Sequence, residues 1–169
     1  MSKATPMGAI AKFSEAGKPL SKKDLGLMAI TYGNVYVAKV AMGYSLNQAV
    51  KAFNEADAYP GPSIVIAYSH CIAHGINMTK GLEEQKKAVE SGAWVLYRYN
   101  PVLAAEGKNP LSIDSKEPTV DIGEYMYNEV RFRALKHTNP ERAIKFLEQT
   151  RRDAQRRYNF YMHLAKMDA

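Results

Sequence analysis

Cysteine is nearly absent from this sequence of 169 residues, which contains Cys71 and no other. A single cysteine excludes an internal disulfide framework, and it excludes any metal site built from several thiolates of this chain. Long apolar runs are also absent, since none approaches the ~20 residues that cross a bilayer. The first six residues lack the apolar core of a secretory signal. We therefore expect a cytoplasmic protein without a membrane partner.

The common catalytic and phosphate-binding motifs are missing as well. The sequence contains no Gly-x-Gly-x-x-Gly or Walker-type run, no His-Glu-x-x-His and no Gly-x-Ser-x-Gly. Its length nevertheless suits one domain with a sizeable core. We infer that this chain carries no complete active site of its own, and we assign it no catalytic residue.

Short apolar segments alternate with helical patterns along the first 100 residues. The predicted strands span 25–32, 63–68 and 94–99, and the predicted helices span 35–41, 46–56 and 82–90. This alternation predicts an α/β fold with an open, mostly parallel sheet that is flanked by helices. Three strands make a thin sheet, so we expect the first strands to come from polypeptide outside this chain.

The helix predicted at 46–56 has a defined start and an apolar face. Ser45 and Gln48 have the spacing of a capping box, which marks the start of a helix. The residues predicted to form its buried face are Leu46, Ala49, Val50, Phe53 and Ala56.

The last part of the sequence is predicted to be helical. One helix runs from Asp121 to about His137, and a second is capped by Asn139 and continues to about Lys166. Pro140 suits the first position of the second helix, where its missing N–H has no intrahelical partner to lose. We divide the chain into residues 1–120, part of the α/β domain, and residues 121–169, a long helical extension of the same domain.

Cys71 lies just beyond the end of the strand predicted at 63–68, where open α/β sheets gather functional groups. Three roles are open to it. A free cysteine is often a small buried hydrophobic residue, which is the role that spacing alone favours. It could also be a nucleophilic thiolate tuned by His70 or His74. Finally, it could be a metal ligand whose partners lie elsewhere, although a lone Cys-x-x-His is a weak metal motif.

The formal net charge of +6 raises the question of nucleic-acid binding, and four arginines occur close together near the C-terminus. These arginines are Arg151, Arg152, Arg156 and Arg157. Acidic residues at 148 and 153 interrupt the positive stripe, and Tyr158 and Tyr161 have the spacing of a helix face that points to the core. We therefore predict no nucleic-acid partner, and we expect these basic residues to contact an acidic protein surface.

Seven segments in order along the chain resemble the C-terminal end of pyruvate:ferredoxin (flavodoxin) oxidoreductase. They occupy residues 2–6, 23–28, 32–38, 58–63, 66–71, 96–101 and 110–115. The fourth and fifth of them read Ala-Tyr-Pro-Gly-Pro-Ser and Ile-Ala-Tyr-Ser-His-Cys. The resemblance extends over essentially the whole chain without large gaps.

This resemblance implies a large, usually homodimeric enzyme that uses thiamine diphosphate, Mg²⁺ and several [4Fe–4S] clusters. Such an enzyme oxidatively decarboxylates pyruvate in the presence of coenzyme A and passes electrons to ferredoxin or flavodoxin. Residues 1–120 would be the C-terminal half of its thiamine-diphosphate-binding domain. The Gly-Asp-Gly and Asn-Thr-Gly-Gly motifs of the family are expected before Met1.

One site residue follows from the resemblance. The cysteine of the family's Tyr-Ser-His-Cys-like segment is the isolated fourth ligand of the cluster nearest the thiamine, and the matching residue here is Cys71. His70 and His74 are then expected to pack around it or to contact it indirectly. The competing hypothesis is a non-catalytic interaction or assembly module that retains the same fold.

Overall fold

The computed structural model describes residues 4–167, which form an open four-stranded sheet with helices on both faces. The strands are β1 (Tyr36–Val40), β2 (Ser63–Ala67), β3 (Tyr97–Tyr99) and β4 (Leu111–Ile113). The helices are α1 (Leu25–Ile30), α2 (Leu46–Ala58), α3 (Gly81–Glu90), α4 (Pro101–Ala105), α5 (Ile122–Met126), α6 (Val130–Thr138) and α7 (Pro140–Leu164). Two single 3₁₀ turns, at Ile72–His74 and Met78–Lys80, join β2 to α3.

The sheet has the strand order β2-β1-β3-β4 and mixes both strand directions. β1 and β2 are parallel and are joined through α2, whereas β3 pairs antiparallel with both β1 and β4. The predicted α/β class, the open sheet and the long C-terminal helix are confirmed. The prediction of a mostly parallel sheet is wrong, because only one of the three strand pairs is parallel. The connection from β3 to β4 holds only the short helix α4 and is too short to carry the chain back for a parallel pairing.

Several predicted elements are present with the expected boundaries. β2 and α3 lie where the sequence placed them, and Ser45 caps α2 by accepting a hydrogen bond from the backbone N–H of Gln48 at 3.2 Å. Asn139 caps α7 through the N–H of Arg142 at 3.0 Å, with Pro140 in the first helical position. These elements are fixed by local signals, namely capping side chains and proline, that read directly from sequence.

Two adjacent elements are exchanged relative to the prediction. The segment predicted as a strand at 25–32 contains helix α1, and the segment predicted as a helix at 35–41 contains strand β1. Asp24 caps α1 by accepting from the N–H of Leu27 at 3.2 Å. All five residues of β1 are buried, because helices cover both faces of the strand. A strand buried on both faces has no alternating pattern, so its apolar run looks the same as a buried helix.

The C-terminal half also differs from the prediction. β3 covers only the second part of the segment 94–99, and β4 lies in a stretch predicted as loop. The helix predicted from Asp121 to His137 is divided into α5 and α6. Glu129 interrupts it with an extended backbone conformation, and its fully buried carboxylate accepts a hydrogen bond from Arg131. A buried carboxylate requires such a partner. Its burial depends on how the other elements pack around it, which has no local sequence pattern.

The sheet is the middle layer of the fold. α2 packs on the face that carries Tyr36, Ala38 and Val40, and α1 and α7 pack on the opposite face. On that second face the rings of Tyr97 and Tyr161 lie 4.9 Å apart between centroids. α7 therefore contributes directly to the core that the sheet organises, as its tyrosine spacing predicted.

The buried face of α2 is narrower than the sequence indicated. Ala49 and Ala52 contact the sheet, whereas Leu46, Val50 and Phe53 are 61%, 50% and 53% exposed. Successive residues of a helix are 100° apart, so the two alanines and the three larger side chains lie next to each other on its circumference. In the sequence they therefore look like one apolar face, although only the alanines are buried. The buried cluster on this face of the sheet contains Tyr36, Ala38 and Val40 from β1 and only the two alanines from α2.

None of the helices between residues 4 and 167 combines the length and the apolar character that crossing a bilayer requires. Three of the four clustered arginines of α7 contact groups within the chain, and the fourth, Arg152, is exposed. Arg151 binds Asp121 at 2.7 and 2.9 Å, Arg156 contacts Asp153 at 3.1 Å, and Arg157 points toward backbone carbonyls after α3. Tyr158 and Tyr161 are buried and have no free face for stacking on a base.

Candidate functional site

Cys71 lies at the carboxyl edge of the parallel strand pair. The pairing of β2 with β1 ends where the N–H of Tyr68 donates to Val40 at 2.9 Å, and the next three residues lead out of the sheet. Cys71 then caps the 3₁₀ turn Ile72–His74 and is partly exposed as a free cysteine. The prediction that it follows the second strand is confirmed in position, and its partial exposure argues against a role as a buried hydrophobic residue.

The sulfur of Cys71 has one close polar neighbour. Its Sγ accepts a contact from the backbone N–H of Ala73 at 3.4 Å, and the C=O of Cys71 accepts from the N–H of His74 at 2.9 Å. The adjacent side chain of Ile72 is 75% exposed. The thiol is therefore held at the surface of a short turn, with a backbone donor directed at it and apolar surface beside it.

The side chain of His70 contacts helix α3. Its Nδ1 lies 3.0 Å from Nε2 of Gln85 on α3, and the Oε1 of Gln85 accepts from the N–H of Gly43 at 2.9 Å. Gly81, at the start of α3, lies directly against the imidazole ring. His70 thus links the segment that carries Cys71 to α3 and to the turn after β1.

His74 contacts a buried acid instead of the thiol. Its Nδ1 lies 3.6 Å from Oε1 of Glu129, whose other oxygen binds Arg131. Burial, together with the positive charge of Arg131, lowers the pKa of His74 to about 4, so the imidazole is neutral near pH 7 and this contact is not an ion pair. Across residues 4–167 no side-chain hydrogen bond joins either histidine to Cys71. The geometry therefore provides no general base for a nucleophilic thiolate.

A cavity of about 350 Å³ opens beside this segment. Tyr68, Ser69 and His74 form one wall, and Trp94, Tyr125 and Phe132 supply apolar surface. Three cationic side chains from different parts of the chain complete it, namely Lys22, Arg131 and Arg157. Burial lowers the pKa of Lys22, and the charges of Arg131 and Arg157 lower it further. Against these three cations the lining holds one carboxylate, that of Asp153, so positive charge is in excess and favours anionic groups.

Sequence reasoning missed this cavity. Lys22 belongs to the loop before α1, Arg131 to α6 and Arg157 to α7, so no short motif connects them. Only the packing of α6 and α7 beside the end of β2 brings the three cations together. The formal net charge of +6 was the one signal available in sequence, and it does not specify a site.

Within the described part of the chain, residues 4–167, no group of three His, Cys, Asp or Glu side chains could hold a metal ion. Cys71 could therefore serve only as one ligand of a site completed by other polypeptide. With one cysteine in its sequence, the chain can supply one thiolate ligand.

Comparison with known proteins points to one kind of enzyme. The chain is 57% identical over 164 residues to the pyruvate-flavodoxin oxidoreductase of Nostoc sp., and this covers 97% of the chain. It is 53% identical to the pyruvate:ferredoxin oxidoreductase of Moorella thermoacetica and 50% identical to the pyruvate-flavodoxin oxidoreductase of Rhodospirillum rubrum, over 98% and 97% of the chain. No protein-family model matches the chain.

The match covers a large share of this chain but a small share of each relative. Nearly all of this chain is matched, yet the match spans only 14% of the length of each of the three relatives. The resemblance recognised in the sequence is confirmed by these identities. The chain is thus a homologue, over nearly its whole length, of one segment of the pyruvate-flavodoxin and pyruvate:ferredoxin oxidoreductases.

Proposed function

We propose that this chain works as part of a pyruvate:ferredoxin or pyruvate:flavodoxin oxidoreductase, in which Cys71 is one ligand of a [4Fe–4S] cluster. The observation that carries the proposal is a partly exposed free cysteine at the carboxyl edge of the parallel strands, in a chain that matches these enzymes over 97% of its length. Clusters of this type are held by four thiolates, one of which often comes from a distant part of the sequence.

The surroundings of Cys71 fit a cluster ligand. Its sulfur is at the surface and has no disulfide partner, so a cluster held mainly by other polypeptide could reach it. The N–H of Ala73 directed at Sγ is the kind of donor that tunes cluster potentials. A bound cluster would carry single electrons, and the role of Cys71 would be to anchor it at this edge of the sheet.

The remaining cofactors of the proposed enzyme are thiamine diphosphate and Mg²⁺. No residue of this chain is assigned to them, and we expect their motifs in preceding polypeptide. The positive charge of the cavity beside the Cys71 segment would attract anionic molecules. Thiamine diphosphate, coenzyme A and pyruvate are all anionic. Residues 1–120 would then be half of the thiamine-diphosphate-binding domain and residues 121–169 its helical extension.

In the proposed reaction, pyruvate and coenzyme A give acetyl-CoA, CO₂, one proton and two electrons. The C–C bond to the carboxylate breaks, a thioester forms, and the electrons leave one at a time through the clusters to ferredoxin or flavodoxin. The complete enzyme would be a cytoplasmic homodimer that contains this segment, and this chain alone would not catalyse the reaction because it holds no complete site.

Replacing Cys71 with serine in the complete enzyme tests the proposal. We expect the variant to lose the iron and sulfide of one cluster, to lose the corresponding electron paramagnetic resonance (EPR) signal, and to keep the other clusters. The matched control is Ile72→Val, which changes an exposed neighbour and should keep full iron content. Unchanged iron content and unchanged spectra in Cys71→Ser would contradict the assignment.

We infer from the outer edge of β2 that the remainder of the same enzyme packs against this chain. β2 pairs only with β1, so the backbone groups on its other side have no strand partner within residues 4–167. We define the β2 edge surface as this free edge together with the exposed side chains beside it. These side chains are Leu46, Val50 and Phe53 on α2 and Leu25 and Met28 on α1. Exposed apolar side chains on both sides of an unpaired strand are typical of a surface that further elements cover.

The substitution Phe53→Asp tests whether the β2 edge surface is covered in the complete enzyme. In the 169-residue chain we expect the free energy of unfolding to change by less than about 0.5 kcal/mol, because the side chain is exposed. In the complete enzyme the same change should clearly lower the thermal midpoint, because it would bury a charge without a partner. Glu83→Asp, at an exposed position of α3, is the control and should leave both proteins unchanged. Equal tolerance of Phe53→Asp in both proteins would argue against this interface.

A further inference from the structure

Residues 69–71 have little support from the sheet. β2 ends at Ala67, and the last sheet-like hydrogen bond is donated by Tyr68. Beyond it, the side chain of His70 ties the segment to α3, through Gln85 and Gly81. On the other side of Cys71, the turn is held by the contact of His74 with Glu129 and by the N–H of Val130, which donates to the C=O of Gly75 at 3.2 Å. The imidazole of His70 is thus the anchor of Cys71 on the side of the strand.

The orientation of the Gln85 amide follows from its backbone partner. The N–H of Gly43 can only donate, so the atom of Gln85 that lies 2.9 Å from it must be the carbonyl oxygen Oε1. The NH₂ group then faces His70 and donates to Nδ1 at 3.0 Å. Gln85 is 2% exposed, so water does not compete for these contacts. The direction of both hydrogen bonds is thus fixed by the chain itself.

Gly81 holds the other side of the imidazole ring. Its backbone is ordinary helix, with φ −58° and ψ −36°, so its conformation does not require glycine. Space does require it, because a Cβ at this position would lie 2.3 Å from Nε2 and 2.4 Å from Cδ2 of His70. Any larger residue must push the ring away from α3. His70 is therefore fixed from two independent directions, by a hydrogen bond and by close packing.

We propose that Gln85 is a positioning residue which, through His70, sets the location of the Cys71 sulfur and thereby the properties of the cluster bound there. This inference rests on the proposed function, in which Cys71 is a cluster ligand. The redox potential of an iron–sulfur cluster responds to the hydrogen bonds and the solvent exposure of its sulfur ligands. A Cys71 segment that is held less firmly should therefore alter one cluster and leave the others unchanged.

The test uses the complete enzyme with Gln85→Leu, Gln85→Glu and Gly81→Ala, analysed by EPR and redox titration. Gln85→Glu keeps an acceptor for Gly43, and its second oxygen can accept from Nδ1 of His70 once the imidazole carries its proton there. We expect Gln85→Leu and Gly81→Ala to shift the midpoint potential and to broaden the signal of one cluster, the same one that Cys71→Ser removes, and we expect Gln85→Glu to have a smaller effect. Gly81→Ala perturbs the ring without changing Gln85, so agreement between the variants identifies the link through His70.

Three further variants separate positioning from general damage. His70→Asn places a carbonyl acceptor close to the position of Nδ1 and should restore much of the original signal and potential, whereas His70→Leu should resemble Gln85→Leu. Glu83→Leu, exposed on the same helix, should leave every cluster unchanged.

The outcomes distinguish this inference from the proposed function. Unchanged potentials and spectra in Gln85→Leu and Gly81→Ala, or equal changes in every cluster, would overturn the positioning role even if Cys71→Ser removes one cluster. Retention of all clusters in Cys71→Ser would instead overturn the proposed function. A Gln85→Leu or Gly81→Ala enzyme that does not fold is replaced in this comparison by His70→Leu, which removes the same link.

Discussion

Replacing Arg98 with methionine is expected to lower the free energy of unfolding of the chain by about 3 kcal/mol, because it leaves two carboxylates without their cation. The guanidinium binds Asp114 through two hydrogen bonds of 2.8 and 2.9 Å and also binds Glu55. All three side chains are mostly buried between β3, α2 and the end of β4. Urea denaturation at pH 7 gives the measurement.

The Arg98 network joins elements that are distant in sequence. Asp114 also accepts from Gln48 at 2.9 Å, and Glu55 accepts from the hydroxyl of Tyr36 at 3.0 Å. Arg98→Lys should give an intermediate loss, since lysine keeps the charge but not the two-pronged geometry. Lys108→Met is the control, because its contact with Glu106 is solvent-exposed and should contribute nothing measurable. An Arg98→Met chain as stable as the original would show that the network does not hold these elements together.

Replacing Lys39 with methionine is expected to stabilise the chain near neutral pH. Lys39 is the fourth of the five residues of β1 and is 7% exposed, with Nζ 4.2 Å from the centroid of the Trp94 ring. Burial lowers its pKa to about 7, against the attraction of Asp24 and with further lowering by Arg157 and Lys22. This shift from 10.5 corresponds to roughly 5 kcal/mol, and the cation–π contact with Trp94 offsets about 2 kcal/mol of it, so we expect a gain of about 3 kcal/mol.

The sign of the pH dependence follows from proton counts. Between pH 7 and 10.5 the unfolded chain holds the lysine proton and the folded chain releases it, so the stability of the original chain should rise with pH in that window. Below pH 7 both states are protonated and the penalty of burying the charge is fully present. The advantage of Lys39→Met should therefore be greatest at pH 7 and below, and it should shrink toward pH 10.

Asp24 does not become an isolated charge in this variant. Its carboxylate accepts from the hydroxyl of Tyr161 at 2.6 Å and from the N–H of Leu27 at 3.2 Å, and both bonds remain. Lys51→Met, at an exposed position of α2, serves as the control and should change neither the stability nor its pH dependence. Urea denaturation between pH 6 and 10 distinguishes the outcomes. A Lys39→Met chain that is less stable than the original at pH 7 would contradict the expected penalty.

The candidate site was only partly readable from sequence. Cys71 was found because it is the sole cysteine and follows a predicted strand, and its assignment as a cluster ligand remains a prediction. The contacts that hold its segment come from Gly43, Gln85 and Gly81, and these residues carry no motif that links them to position 71. The cationic cavity is likewise built from side chains of three separate elements, whose charges in sequence look like scattered surface residues.

The sequence alone determined the α/β class, the capped helices α2 and α7, the strand β2 and the similarity to pyruvate oxidoreductases. Each of these depends on local signals such as capping side chains, proline positions and continuous matching segments. Only the tertiary structure decided that the segment 35–41 is a strand, that β3 and β4 run antiparallel, and that Glu129 divides a helix in two. The physical reason is burial on both sides: once a segment is covered on every face, its apolar pattern no longer distinguishes helix from strand, and long-range contacts select the conformation.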